Sequence, residues 1–235
     1  MNKVSLVKSD LLLSVQECKS ILELVFLNRN MFIKKSQQYR FLGLPLDYAY
    51  SYSKYDETLV FKHNAFMKSE LSFLLFKVTE YFEKLLGKKV ISHKSLSLPG
   101  FNIFDIKAKS SQSTFFHFDY HNIEILKICP ELSINKNTPM LSFTVLLSDL
   151  CHAHTGLSYF EKNNPVGKKI MGYSQSDQGY FVPFSSIHLY KQGYINIHQD
   201  ILHSVYTKNE NQEDIVRVTL QGHVFNTEEG ALIFW

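Results

Sequence analysis

His117-Phe118-Asp119 sets an imidazole and a carboxylate two positions apart, and His203 adds a second imidazole far downstream, followed by Arg217 and Thr219. Two imidazoles and one carboxylate on one face of a metal, with other coordination positions open, form the donor set that suits a non-haem Fe(II) ion handling dioxygen. The spacing has a physical reason. If residues 115 to 121 form a strand, period-two alternation puts Phe115, His117, Asp119 and His121 on one face and Phe116, Phe118 and Tyr120 on the other, so His117 and Asp119 can chelate one ion. The third ligand must then come from a strand distant in sequence, and Ile201-Leu202-His203-Ser204-Val205 reads as one end of such a strand. Residues 215 to 221 alternate still more cleanly, with Arg217, Thr219 and Gln221 on one face and Val216, Val218 and Leu220 on the other. A guanidinium beside a hydroxyl makes a carboxylate receptor, because Arg offers a planar fork that pairs with both carboxylate oxygens.

Those side chains need a scaffold, and the chain divides into two regions. Over residues 1–88 the pattern is mainly helical. Ser14-Val15-Gln16-Glu17 has the form of a capping box, after which Ile21, Leu24 and Val25 supply a buried stripe to about Asn28. A longer helical pattern runs from Thr58 to Leu86, with Met67, Leu71, Leu74, Leu75, Val78, Phe82 and Leu85 near helical spacing and Gly87 as its stop. These stripes read as packing surfaces that buttress a β core from outside. Between them, residues 39–55 are rich in tyrosine (Tyr39, Tyr48, Tyr50, Tyr52, Tyr55), with Gly43 and Pro45 as helix breakers; a lid over a substrate and a packed connection are both open readings. Residues 89–235 change to short strands separated by Pro, Gly, Asn and Ser, the signature of a sandwich or barrel. Residues 163–167 and 174–179 read as loops.

Composition narrows the class. At 235 residues, 45% hydrophobic and 20% charged, the chain can bury a substantial core, and its size suits one domain spanning 1–235. A formal net charge of +3 with scattered lysines and no basic cluster interleaved with aromatics argues against a nucleic-acid partner. Cys18, Cys129 and Cys151 are an odd, widely spaced set without a Cys-x-x-Cys pair, which fits reduced thiols in the cytoplasm. Leu11-Leu12-Leu13 is too short an apolar run for a signal peptide or a spanning helix, so no membrane association is expected.

In that order, His117-x-Asp119, His203 and Arg217-x-Thr219 resemble the 2-oxoglutarate and Fe(II)-dependent dioxygenases. Residues 141–149 followed by Thr155-Gly156-Leu157-Ser158-Tyr159-Phe160 are similar to that family's central strand, loop and Gly-Leu strand. Gly193-Tyr194-Ile195-Asn196-Ile197-His198 looks like its strand leading into the second histidine, so the resemblance covers roughly residues 99 to 235. It implies an α+β, mainly β fold: a double-stranded β-helix (jelly roll, cupin-like) core with N-terminal buttressing helices. It implies iron held by His117, Asp119 and His203, and 2-oxoglutarate gripped at its distal carboxylate by Arg217 and Thr219, with Asn102 and Thr144 as further candidate contacts. The implied reaction uses dioxygen, forms succinate and carbon dioxide, and hydroxylates an unactivated carbon of a small molecule such as an amino acid or biosynthetic intermediate; a protein side chain or a carrier-tethered substrate stays open. Asp119 fills the position that halogenating relatives vacate for chloride, which favours hydroxylation.

Each residue also has an ordinary reading when taken singly: His117 and Asp119 as a surface pair, His203 as a satisfied core histidine, Arg217 as a solvated strand residue. The ordered set with matching strands outweighs those readings. His152 and His154 fall in the loop expected before Gly156, and His121 stands where Asn122 signals a turn. His198 is the most credible competitor to His203, although it stretches the interval to Arg217. A cupin-like metalloenzyme that does not use 2-oxoglutarate, and a non-catalytic jelly-roll binding protein, are the alternatives these residues leave open.

Overall fold

A computed structural model describes residues 7–46, 55–113, 116–117, 119, 122–132, 139–150, 153–160, 186–199 and 201–235. In chain order its elements are β1 (Val7–Leu11), α1 (Val15–Leu27), β2 (Ile33–Lys34), β3 (Tyr39–Leu42), α2 (Glu57–Ser69), α3 (Ser72–Leu86), β4 (Val90–Ile91), β5 (Gly100–Ile106), β6 (Ser110–Ser113), α4 (Asn122–Ile128), β7 (Met140–Leu146), β8 (Ala153–Phe160), β9 (Ser186–Leu189), β10 (Tyr194–Gln199), β11 (Leu202–Asn209), β12 (Ile215–Asn226) and β13 (Ala231–Phe234).

The alternation along β12 organises the molecule. β12 pairs antiparallel with β5 on one side and β7 on the other, opposing Thr219 to Asn102 and to Leu146. Among the described residues the sheet runs β1-β10-β7-β12-β5-β3-β2, with β13 joined to β12 and β4 to β13. Its outer face carries Phe101, Ile103, Phe143, Val145, Ile195, Ile197, Val218 and Leu220, packed with Cys18, Ile21 and Val25 of α1 and Leu74, Val78 and Phe82 of α3. Its inner face carries Asn102, Ser142, Thr144, Asn196, His198, Arg217 and Thr219, all buried despite their polarity. A second sheet, β6-β11-β8-β9, lies against that inner face. His188 of β9 reaches Asn196 of β10 across the gap, with Nε2 and Oδ1 2.9 Å apart, and Leu146, Leu157, Tyr190 and Ile201 fill the space between. Two sheets wound in this order are a double-stranded β-helix.

Local signals fix the flanking helices. Ser14 Oγ accepts from Glu17 N while Glu17 returns a carboxylate to Ser14 N, which starts α1 as the capping box predicts. Asp56 caps α2 through Thr58 N and Leu59 N, and Gly87 closes α3 at φ 65°, a conformation that favours glycine. Gly193 (φ 79°) also requires glycine: its carbonyl accepts from Leu12 N and Leu13 N, and a Cβ there would stand 2.1 Å from Leu13 O.

The structure corrects several expectations. The long helix expected from Thr58 to Leu86 is two helices, because the chain breaks at Glu70-Leu71; Leu71 leaves helical geometry (φ −119°, ψ 25°) while remaining fully buried. No Gly or Pro marks that break, and apolar spacing carries on through it. The N-terminal region is less purely helical than its pattern implies, since β1 extends the main sheet through β10, and β3 extends it through β5. Within the tyrosine-rich segment, Tyr39–Leu42 is a strand, and Arg40 forms an ion pair with Asp105 next to it. Residues 47–54 of the expected lid lie outside the described residues, as do both expected loops, His121 and His152. His154 lies on β8 rather than in a loop, and is exposed.

Two stability measurements follow. Phe82 is fully buried and its ring meets Phe143 at 5.1 Å, joining α3 to the sheet; Phe82→Ala is expected to cost about 3–5 kcal/mol by urea unfolding, and a loss below about 1 kcal/mol would show that this contact does not hold the layers together. Burial pulls the His63 imidazole from 6.5 down to about 4, against the raising effect of its Nε2 bonds to the Pro99 and Leu98 carbonyls. Because the folded value lies below the unfolded one, the unfolded chain takes the proton first. The contribution of His63 is therefore complete above about pH 6.5 and is lost as pH falls toward 4, roughly 3 kcal/mol in all. Comparing wild type with His63→Gln by unfolding across that range should show a flatter decline in the variant; equal slopes would contradict it.

Candidate functional site

Two backbone hydrogen bonds bring the distant histidines together. His117 N donates to His203 O at 2.8 Å and His203 N donates to His117 O at 2.9 Å, an antiparallel bridge that leaves the two rings with centroids 4.4 Å apart. Among the described residues the expected strand around His117 is this single bridge, and the chain turns into α4 at Asn122. Phe116 packs its ring on Phe160 of β8 at 5.0 Å, so its neighbour His117 is turned the other way, as alternation requires.

Asp119 stands between the imidazoles. Its Oδ1 is 3.6 Å from His117 Nε2, and its Oδ2 is 3.6 Å from His203 Nε2 and 3.8 Å from His198 Nε2. One donor atom from each of His117, Asp119 and His203 falls within 4.8 Å of the others, an arrangement able to hold a metal ion. His203 is buried, while the His117 side chain is 50% exposed and marks the open side.

The chemistry of the gap calls for a cation. His203 Nδ1 lies 3.1 Å from the Ile201 carbonyl, which can only accept, so Nδ1 carries the proton and Nε2 presents a lone pair. Burial pushes the His203 pKa down, more strongly than Asp119 raises it, which keeps that lone pair bare. For Asp119, burial works upward, but positive charge on the surrounding imidazoles of His203, His223, His198 and His117, when they are protonated, holds the carboxyl well below its usual range. A lone pair facing a carboxylate at 3.6 Å repels it unless a positive charge sits between them.

Arg217 and Thr219 lie on the inner face of the large sheet, on β12. Arg217 is 4% exposed and Thr219 fully buried. Arg217 Nε and Nη2 and Thr219 Oγ1 have no hydrogen-bond partner among the described residues. Burial lowers the guanidinium's pKa, with the hydroxyls of Tyr190 and Tyr39 close enough to oppose the shift. A buried, uncompensated guanidinium costs several kcal/mol, and an unsatisfied hydroxyl adds to that, so this corner is built for an anion. The expected helpers are already committed. Asn102 Oδ1 accepts from Tyr39 at 2.5 Å and its amide donates to Gln221, while Thr144 hydrogen-bonds Tyr190, whose phenol burial pushes up to about 12.

Sequence reasoning missed Tyr190 and His223, and placed Tyr39 only in a candidate lid. His223 continues the period-two face of Arg217, Thr219 and Gln221 and meets Ser142 Oγ through Nδ1 at 3.0 Å, so extending the alternation by one step would have found it. Tyr39 comes from β3 and Tyr190 from the residue just after β9, and no local pattern announces their place beside Arg217. His198, ranked below His203 by spacing, is brought to the same carboxylate. A second cluster, His93, Cys129 and Glu131, is wired differently. Cys129 Sγ lies 3.0 Å from His93 Nδ1, which also accepts from Ser95 N, while His93 Nε2 meets Glu131 at 2.8 Å. Its contacts use opposite sides of the ring, so it is a hydrogen-bonded chain that ties the end of α4 to the segment before β5, with burial pushing the Cys129 thiol up to about 12.

No family model and no curated protein sequence matches the chain. In fold it is similar to the non-heme alpha-ketoglutarate-dependent carbocyclase SnoK of nogalamycin biosynthesis, at 11% identity and a TM-score of 0.47 over 96% of this chain and 83% of that one. It is similar to HygX of Streptomyces hygroscopicus, solved with nickel and 2-oxoglutarate bound, at 11% identity and a TM-score of 0.46 over 93% and 82%. An N-substituted L-amino acid dioxygenase of Burkholderia ambifaria AMMD, solved with alpha-ketoglutarate, gives 10% identity and a TM-score of 0.48 over 97% and 86%. The likeness is one of fold.

Anaerobic Fe(II) titration checks the donor set. Asp119→Ala is expected to weaken binding by more than the roughly 10–100-fold that loss of an outer partner costs, while Glu131→Ala leaves it unchanged; the reverse order would move the metal to the second cluster.

Proposed function

We propose that this chain is an iron(II)- and 2-oxoglutarate-dependent dioxygenase that hydroxylates a small molecule such as an amino acid or biosynthetic intermediate. The observation that carries this reading is a donor trio around a gap that demands a cation, together with a guanidinium-hydroxyl pair on the large sheet's inner face whose Nε, Nη2 and Oγ1 have no hydrogen-bond partner among the described residues. Bound there, iron and 2-oxoglutarate would supply the oxidising chemistry, in which decarboxylation of the 2-oxo acid to succinate and dioxygen reduction furnish the oxidant for an unactivated C–H bond.

The protein's part is positioning. His117, Asp119 and His203 hold the metal, and the Ile201 carbonyl fixes the His203 ring in the tautomer that donates through Nε2. The Arg217 fork takes the far carboxylate of the cosubstrate bidentately, and Thr219 donates its hydroxyl to the same group. Asn102 and Thr144 act one step back: by engaging Tyr39, Gln221 and Tyr190 they set the walls around Arg217. Leu146, Leu157, Tyr190 and Ile201 keep water from the interior between the sheets, which strengthens the ion pair the cosubstrate would make. Substrate reaches the metal from the side where His117 is exposed. Asp119 occupies the carboxylate position, which favours hydroxyl transfer over halogen transfer. The same reading takes residues 1–235 as one domain and places it in the cytoplasm, where the buried free thiols of Cys18 and Cys129 stay reduced. No helix among the described residues is long and apolar enough to cross a membrane.

Anaerobic addition of 2-oxoglutarate to the Fe(II) protein should produce the weak visible charge-transfer band of a chelated 2-oxo acid, and aerobic turnover should release succinate. Arg217→Ala is expected to weaken cosubstrate binding by about 10–100-fold, the loss of a charge-assisted bidentate contact, with Fe(II) affinity unchanged. A band that persists undiminished in that variant at moderate cosubstrate concentration would remove Arg217 as the anchor.

A further inference from the structure

His198 is a buried imidazole that finds no acceptor in its own chain. It lies on β10, 6% exposed, and among the described residues neither ring nitrogen makes a hydrogen bond. Nε2 faces Asp119 Oδ2 at 3.8 Å, beyond hydrogen-bond reach, and the ring centroid is 4.3 Å from that of His203. The donor atoms that lie within 4.8 Å of one another belong to His117, Asp119 and His203 and leave His198 out, so its place is beside the metal position rather than on it. Every imidazole carries at least one N–H, and a buried donor left without an acceptor opposes folding. Nε2 is the nitrogen that holds the proton, since a lone pair there would face the carboxylate.

Register decides which oxygen that donor can meet. His198 pairs with Ser142 of β7, and Ser142 with His223 of β12, so the three form one row across the large sheet's inner face. The next row is Asn196, Thr144 and Gln221, and along β12 the face continues through Thr219 to Arg217. His198 thus stands where this polar face meets Asp119, and Arg217 lies toward its other end. The His117 side chain is 50% exposed and marks the open side; that of His198 is 8% exposed and belongs to the closed side. A substrate entering past His117 meets the open side. An acid anchored at Arg217 lies along the closed one and brings its other end to the row of His198.

We propose that His198 positions the cosubstrate: its Nε2–H donates a hydrogen bond to the carboxylate at the metal-binding end of a 2-oxo acid, the end that Arg217 does not hold. The inference rests on the 2-oxoglutarate reading above. His198 and Arg217 then fix the two ends of one molecule separately, and only His198 touches the end whose chelation gives the visible band.

The test compares 2-oxoglutarate with pyruvate, which keeps the chelating end and lacks the far carboxylate, by anaerobic titration of the Fe(II) protein. His198→Leu is expected to weaken both acids by the same factor, about 10- to 100-fold for a hydrogen bond to a charged group, and to displace the maximum of the visible band. His198→Gln, whose amide can donate from near the Nε2 position, should recover most of the affinity. Arg217→Ala should weaken 2-oxoglutarate alone and leave the band where it is. Fe(II) affinity without cosubstrate should be unchanged in both His198 variants, with circular dichroism confirming that they are folded. Wild-type affinity for both acids in His198→Leu, with the band unmoved, overturns the proposal and leaves the dioxygenase reading standing. Loss of 2-oxoglutarate with pyruvate unaffected overturns it too, by placing His198 at the far carboxylate, as does a parallel fall in Fe(II) affinity, which would make His198 a support of Asp119. If the wild type shows no band with either acid, the cosubstrate reading itself fails and this inference falls with it.

Discussion

The bridge between His117 and His203 is the contact on which the pocket depends. Two backbone hydrogen bonds of 2.8 and 2.9 Å join segments far apart in the chain, and they belong to no long ladder among the described residues. Because the bonds are made by the peptide groups of the ligand residues themselves, the positions of the two imidazoles follow directly from backbone geometry. Asp119, two residues on, then needs no partner from elsewhere to reach the gap. A site built on paired backbone in this way is more exact than one carried on loops.

The large sheet divides its labour between its faces. The outer face and the helices that cover it bury aromatic and branched side chains, and this is where folding free energy comes from. The inner face spends some of it. Arg217, Thr219, Asn102, Ser142, Thr144, Asn196 and His198 are all buried there, and an unpaired guanidinium alone opposes folding by several kcal/mol. Such a face persists in a folded protein when the outer core is large enough to offset it and when ligands bound to the native state return part of the deficit through linkage. The atoms of Arg217 and Thr219 that lack partners among the described residues thus suit an anion, as the bare Nε2 of His203 beside Asp119 suits a cation.

Most of the inner face was legible in the sequence because a strand has a period of two and both faces of these strands are strongly patterned. Arg217, Thr219 and Gln221 alternate with Val216, Val218 and Leu220, and the sheet places them as that alternation requires. Ser14 and Glu17 announced a helix start for the same local reason. What escaped was non-local. Nothing in the sequence between Thr58 and Leu86 interrupts the apolar stripe, yet the helix breaks at Glu70-Leu71, where Leu71 is buried in the core. Tyr39 of β3 and Tyr190, just after β9, reach Arg217 from elsewhere in the chain, and β1 to β3 join the sheet through edge pairing that short, weakly alternating segments do not advertise. His198 was discounted by its interval to Arg217, a rule that measures distance along the chain; the β7–β10 register, which measures it in space, brings His198 to Asp119.

Anomalous diffraction at the iron edge from anaerobically grown Fe(II) crystals examines the pocket most directly. The account predicts one strong peak bonded to His117 Nε2, an Asp119 oxygen and His203 Nε2 at roughly 2.0–2.2 Å. Iron bound only between His93, Cys129 and Glu131, or a His203 ring turned away from the peak, would contradict it.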